Sequence, residues 1–91
     1  MSSFHTILSH EVQDYATWRT QFDAHAPKRE QHGIQIDGVY AALDNPNHIT
    51  VMARLASPDA LQSFMGDPEV QATMQQAGVI GRPQVQMLQA V

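Results

Sequence analysis

The stretch DYATWRTQFDAHAPKREQHG, Asp14 to Gly33, constrains this chain more than any other. Tyr15, Trp18, Phe22 and then His25 or Ala26 recur at helical intervals, the pattern of a helix with one apolar face. Asp14 is placed to cap its first turn by accepting from an orphan backbone N–H. Gly33 is placed to end it, because glycine enters the left-handed region without steric cost. The only tryptophan and one of three phenylalanines lie here, so the core is expected to be built against this helix. Pro27 falls inside the pattern. It lacks an N–H and collides with the preceding turn, so a break is expected at His25-Ala26-Pro27, with a short polar helix from Lys28 to His32.

The remaining segments alternate, as half-buried strands do. Phe4 to Val12 reads as a strand, with Phe4, Thr6, Leu8, His10 and Val12 turned toward the helices. Ile34 to Leu43 is the second strand. Strict alternation puts Ile34, Ile36, Gly38, Tyr40 and Ala42 on one face, and Gly38 marks a candidate bulge. Asp44-Asn45-Pro46-Asn47 is a turn signal. His48 to Ala56 follows as a third strand, with Ile49, Val51, Ala53 and Leu55 facing inward. Ser57-Pro58 reads as a cap and first helical residue for a helix ending near Met65. Asp67-Pro68 repeats the device for a third helix, which carries Val70, Met74 and Ala77 inward and stops at Gly78. Val79 to Pro83 is read as a connector and Val85 to Val91 as the last strand.

The order is therefore β-α-β-β-α-β. That is an α+β, ferredoxin-like arrangement with a four-stranded antiparallel sheet and both helical segments on one face. The opposite face is left bare. With Met52, Val85 and Met87 assigned to it, a chain of 91 residues is expected to cover it by pairing two sheets in a homodimer.

Composition narrows function chiefly by exclusion. A net charge of −4 and scattered basic residues argue against nucleic-acid binding. The absence of cysteine excludes disulfides and thiolate metal sites. No apolar run approaches the roughly 20 residues of a membrane span, and the start MSSFHTILSHEV lacks the pattern of a signal peptide. A soluble, cytoplasmic protein of one domain is the expectation.

Three motifs then converge: V-x-D-Y-x-x-W-x-x-x-F-D from Val12 to Asp23, H-A-P-x-R from His25 to Arg29 with Gly33, and A-G-V-x-G-x-P from Ala77 to Pro83. With the element order and length, they resemble small bacterial proteins of the dimeric α/β-barrel superfamily, those related to antibiotic biosynthesis monooxygenases and polyketide cyclases. The resemblance covers nearly the whole chain. It implies a homodimer whose two sheets form a barrel, with a cavity in each subunit between sheet and helices. It also implies cofactor-independent chemistry on quinol-like aromatic molecules, with Trp, Tyr, Asn, His or Arg side chains around an apolar cavity.

Five histidines are the unusual feature of the composition. His exchanges protons near neutral pH. His10 shares a strand face with Leu8 and Val12, and His25 shares the helix face with Trp18 and Phe22, so both can approach one cavity from opposite walls. They are the acid/base candidates; the competing account makes each a core or helix-end histidine bonded to a backbone carbonyl and gives His25, directly before Ala-Pro, a helix-break role. His5, His32 and His48 read as surface residues, and no spacing suits a metal site. Arg54 and Tyr40 are candidate polar anchors for a substrate, Arg54 with an interface ion pair to Glu11 or Asp37 as its alternative. Trp18 and Phe22 are either cavity wall or plain core. The leading expectation is a cofactor-free enzyme acting on a hydrophobic aromatic or polyketide-like molecule, with a pH dependence near neutrality from the two histidines. The alternatives are a non-catalytic small-molecule binder and a structural dimer with a filled core.

Overall fold

The computed structural model describes residues 4–91. What was read from the first three residues lies outside that range. Strand β1 (Phe4–Val12) leads to helices α1 (Tyr15–Ala24) and α2 (Ala26–Gln31), then to strands β2 (Ile34–Ala42) and β3 (Asn45–Leu55). Helices α3 (Asp59–Met65) and α4 (Pro68–Gln76) precede strand β4 (Val79–Gln89). The four strands form one antiparallel sheet in the order β2-β3-β1-β4. This is the ferredoxin-like β-α-β-β-α-β arrangement, each helical layer being two short helices in series.

Local chemistry accounts for the boundaries. The Asp14 carboxylate accepts from Thr17 N at 2.9 Å and from the Thr17 hydroxyl at 2.8 Å, which fixes the start of α1. His25 is both the last cap of α1 and the first of α2, and Pro27 sits in the first turn of α2, where its missing N–H costs nothing. Gly33 adopts φ +73 and turns the chain into β2. Asp67 caps α4 by accepting from Glu69 N at 2.9 Å. The same carboxylate takes the Lys28 ammonium at 2.8 Å and His32 Nε2 at 3.3 Å, tying α2 to α4. His32, expected at the surface, is thus half-buried.

The core lies on one face of the sheet. Val12, Trp18, Ile49, Val51 and Ala77 form one buried cluster, and Ile34, Ala53, Leu55, Ala60 and Leu61 a second.

Several expectations are corrected. Asp37 is an extra residue between Ile36, opposite Ala53, and Gly38, opposite Met52. This bulge reverses the alternation of β2, so Val39 turns inward opposite Val51 and Tyr40 turns outward opposite Thr50. The hairpin turn is tighter than the sequence suggests. Ala42 pairs with Asn45, and Pro46 lies in β3 beyond the end of its pairing with β1, where no ladder N–H is required. Ser57 gives α3 no side-chain cap; its carbonyl accepts from Ala60 N instead. Val79 to Pro83 is not a connector but the first part of β4. Two extra residues are accommodated between the Ser9–Gln84 and Glu11–Ile80 pairs, with Gly81 at φ +71. Val85 and Met87 pair with Leu8 and Thr6, so they lie on the helix side of the sheet, exposed at its β4 edge. The bare face carries Ile7, Tyr40, Met52, Ile80 and Leu88 instead. Among the described residues no helix is long and apolar enough to cross a membrane.

Candidate functional site

A cavity of about 100 Å³ lies between the sheet and the helices. β1 supplies Thr6, Leu8 and His10 to its floor, and β3 supplies Val51 and Ala53. α1 contributes Trp18 and Phe22 to one wall, and Phe64, Met65 and Met74 from α3 and α4 close the other. The lining is almost wholly apolar. Trp18 and Phe22 stack with centroids 4.7 Å apart, and Trp18 meets the His10 ring edge-on at 5.5 Å.

Two polar side chains lie in the floor, and of these Thr6 donates to the Gln86 carbonyl at 2.9 Å whereas His10 is unpaired. It is only 7% exposed, and among the described residues neither ring nitrogen has a hydrogen-bond partner. A neutral imidazole carries one N–H donor and one bare acceptor. Leaving each buried and unpaired costs about 1–3 kcal/mol. Burial, assisted by His48 nearby, pushes the His10 pKa down to about 4. The ring is therefore neutral at physiological pH, and the titration expected near neutrality falls in the acid range for this residue. His25 lines the same cavity from the α1–α2 break. Its Nε2 is likewise buried and unpartnered, and its ring meets Phe64 edge-on at 6.2 Å. Among the described residues neither imidazole is bonded to a backbone carbonyl, while His25 does stand at the helix break, as its competing reading has it.

Four of the six candidate site residues, His10, His25, Trp18 and Phe22, thus meet at one cavity. Tyr40 and Arg54 do not. Tyr40 is turned by the Asp37 bulge onto the bare face, where its ring covers Gly38; a Cβ there would lie 2.7 Å from the ring. Arg54 is on that face too, its Nε donating to Asp37 at 2.8 Å. This is the ion pair of its alternative reading.

A residue absent from the candidates takes their place. Arg29, on α2, is 9% exposed and lines the cavity. Its guanidinium lies 3.9 Å from the Phe22 ring centroid, and Nη1 donates to the Phe22 carbonyl at 2.6 Å. The signal was available: Arg29 follows Trp18, Phe22 and His25 by eleven, seven and four residues, the spacing of one helix face. Among the described residues no three His, Asp or Glu side chains are grouped as a metal site would require.

No known family model matches the chain, and no curated protein matches its sequence. Solved structures do match its fold. A candidate antibiotic biosynthesis monooxygenase from Caulobacter crescentus CB15 is similar at TM-score 0.76 and 21% identity, covering 99% of this chain and 91% of that one. A candidate antibiotic biosynthesis monooxygenase from Bordetella bronchiseptica is similar at TM-score 0.80 and 17% identity, over 100% and 99%. SnoaB, a cofactor-independent oxygenase from Streptomyces nogalater, is similar at TM-score 0.76 and 14% identity, over 100% and 95%. The chain shares the fold of these proteins, as its motifs lead one to expect. At such identities the likeness concerns the fold alone.

Proposed function

We propose that the cavity takes a small hydrophobic aromatic molecule, and that the protein is a cofactor-free enzyme in which His10 and His25 hold or exchange a proton on it. The carrying observation is His10, a buried imidazole with both nitrogens unpaired in an apolar chamber. Folding alone gives no reason to keep such a group, whereas a bound ligand with a hydroxyl or carbonyl would satisfy it. The description of SnoaB as a cofactor-independent oxygenase fits this reading.

Size and acidity sharpen it. Ligand sites for drug-sized molecules run to about 300–1,000 Å³, so a chamber of about 100 Å³ suits a single ring. A polycyclic polyketide enters only if the helices part. With its conjugate acid near pH 4, His10 is a poor base. Taking a proton outright from a phenol of pKa about 10 is uphill by about 8 kcal/mol. Its role is that of a neutral hydrogen-bond donor to oxygen charge that develops on the substrate. His25, at the opposite wall, is the proton-exchanging partner. The reaction class is oxygenation, or an isomerisation or cyclisation driven by proton transfer.

Trp18 lies in the cavity wall and reports occupancy by fluorescence. Titration with hydroquinones and monocyclic phenols, together with oxygen consumption and product analysis, tests the reading. Saturable binding with turnover that falls at least tenfold in both His10→Phe and His25→Ala supports it. Turnover untouched by both substitutions removes the two histidines from the chemistry. Saturable binding without turnover of any such compound leaves a non-catalytic binder, which the weak basicity of His10 favours as the second reading. We propose further that the molecule works as a homodimer joined through the bare sheet face.

A further inference from the structure

Arg29 is a buried charge that no carboxylate contacts directly among the described residues, although Asp23 and Glu30 attract it from further off. Among the described residues it forms no ion pair, and its one hydrogen bond, to the Phe22 carbonyl, uses one of five donors. Asp23, six residues before it at the end of α1, is engaged by Arg19 at 3.1 Å. Burial lowers the Arg29 pKa, but a guanidinium stays charged. The C-terminal carbonyls of α1 offset part of the cost of desolvating it. They do not offer the planar, two-oxygen partner that its fork matches.

Its position is as telling as its charge. Arg29, Ile34 and Ile36 are common walls of the apolar cavity and of a wider groove of about 700 Å³ that runs along the β2 edge. The other groove charges are Glu30 and Arg54, and Arg54 is committed to Asp37. A single uncommitted guanidinium next to a carboxylate favours a monoanion over a dianion such as phosphate.

We infer that Arg29 anchors a carboxylate, so that the molecule taken by the cavity is a small aromatic acid, its ring beside Trp18 and Phe22 and its carboxylate on the open edge of the guanidinium. The inference rests on the cavity being a ligand site, and adds which class of ligand it selects. The phenolic or carbonyl oxygen that meets His10 is then at the end of the ring remote from the acid.

Benzoate and its neutral, planar analogue benzamide separate the two propositions when each is titrated against Trp18 fluorescence at pH 7. The wild-type protein is expected to bind benzoate about tenfold or more tighter than benzamide, the size of a charge-assisted hydrogen bond. Arg29→Gln is expected to abolish that preference, so that the two affinities agree within about twofold. Arg82→Gln, an equal change in net charge at an exposed site, is expected to leave both affinities unchanged. If Arg29→Gln fails to fold, Arg29→Lys serves, with a reduced preference for the acid expected because the ammonium keeps the charge and loses the fork. Equal binding of benzoate and benzamide by the wild type, a preference that persists in Arg29→Gln, or one left undiminished in Arg29→Lys, overturns the anchor and leaves the cavity a ligand site. Saturable binding of neither benzoate, benzamide nor the phenols overturns both.

Discussion

His10 sets the terms at the residue scale, because it opposes stability and favours function. Replacing it by phenylalanine keeps a ring against Trp18 and removes two unpaired buried nitrogens. His10→Phe is therefore expected to raise unfolding stability by about 1 kcal/mol or more while abolishing binding of any hydroxylated ring. Urea denaturation read beside the Trp18 titration checks both halves; a clear loss of stability means that the imidazole has a partner in solution. The same residue carries a pH signature. Its folded pKa of about 4 lies below the ordinary 6.5. Between those values the unfolded chain binds a proton that the native state refuses. Stability from this group is complete above pH 6.5 and falls as pH drops toward 4, by up to about 3 kcal/mol. His10→Phe should flatten that limb of the stability curve, and an unchanged limb would assign it to another group. Which histidines share a cavity was legible from spacing alone. That they lack partners was not, since the missing partners are a property of three-dimensional surroundings. Arg29 was equally legible by spacing, yet a charged residue on an apolar helix face is easily passed over as surface.

At the scale of elements, two of the three left-handed glycines, Gly33 and Gly81, allow a controlled comparison. At Gly33, φ is +73 and an added Cβ would lie 2.8 Å from the Ala56 Cβ, beside the bond from Ala56 N to the Gly33 carbonyl at 2.9 Å. At Gly81, φ is +71 and nothing lies within 4 Å. Gly81→Ala should cost only the left-handed backbone, about 1–2 kcal/mol. Gly33→Ala should cost that and about 1–3 kcal/mol more for overpacking between α2, β2 and β3. Chemical denaturation of the pair measures the difference, and equal losses would mean that Ala56 yields freely. The glycines also mark how far sequence reaches. Gly38 was legible as a bulge signal, but not which residue would be the extra one. Because side chains alternate with period two, that single ambiguity decided whether Tyr40 faced the cavity or the bare face. The opening of β4 was lost for a similar reason. Gly81 and Pro83 punctuate it as a connector does, and only pairing with β1 across the two extra residues keeps it in the sheet.

For the whole molecule, the unsolved term is the face opposite the helices. Ile7, Met52, Leu88, Ile80 and Tyr40 are spread over this face across all four strands, among polar residues such as Ser9, Thr50 and Gln86, with Tyr40 54%, Ile80 48% and Met52 40% exposed. Four strands spaced by about 4.8 Å, over roughly nine residues rising about 3.3 Å each, present a face of roughly 570 Å². Two such faces together bury roughly 1,100 Å², just beyond the ~1,000 Å² expected of a specific interface. That margin is narrow enough for one charge at its centre to decide the outcome. Met52 is that centre, between Ile7 on β1 and Gly38 on β2. Met52→Glu places two like charges across the two-fold axis without touching the cavity floor, which uses the opposite side of β3. Sedimentation equilibrium should give wild-type protein twice the chain mass and Met52→Glu the single mass, with Trp18 still reporting ligand binding in the monomer. A wild type that stays monomeric at every concentration would refute sheet pairing and leave the apolar face to another partner. Loss of ligand binding on dissociation would show that the second copy holds the cavity in shape, a dependence that the separate faces of the sheet give no reason to expect.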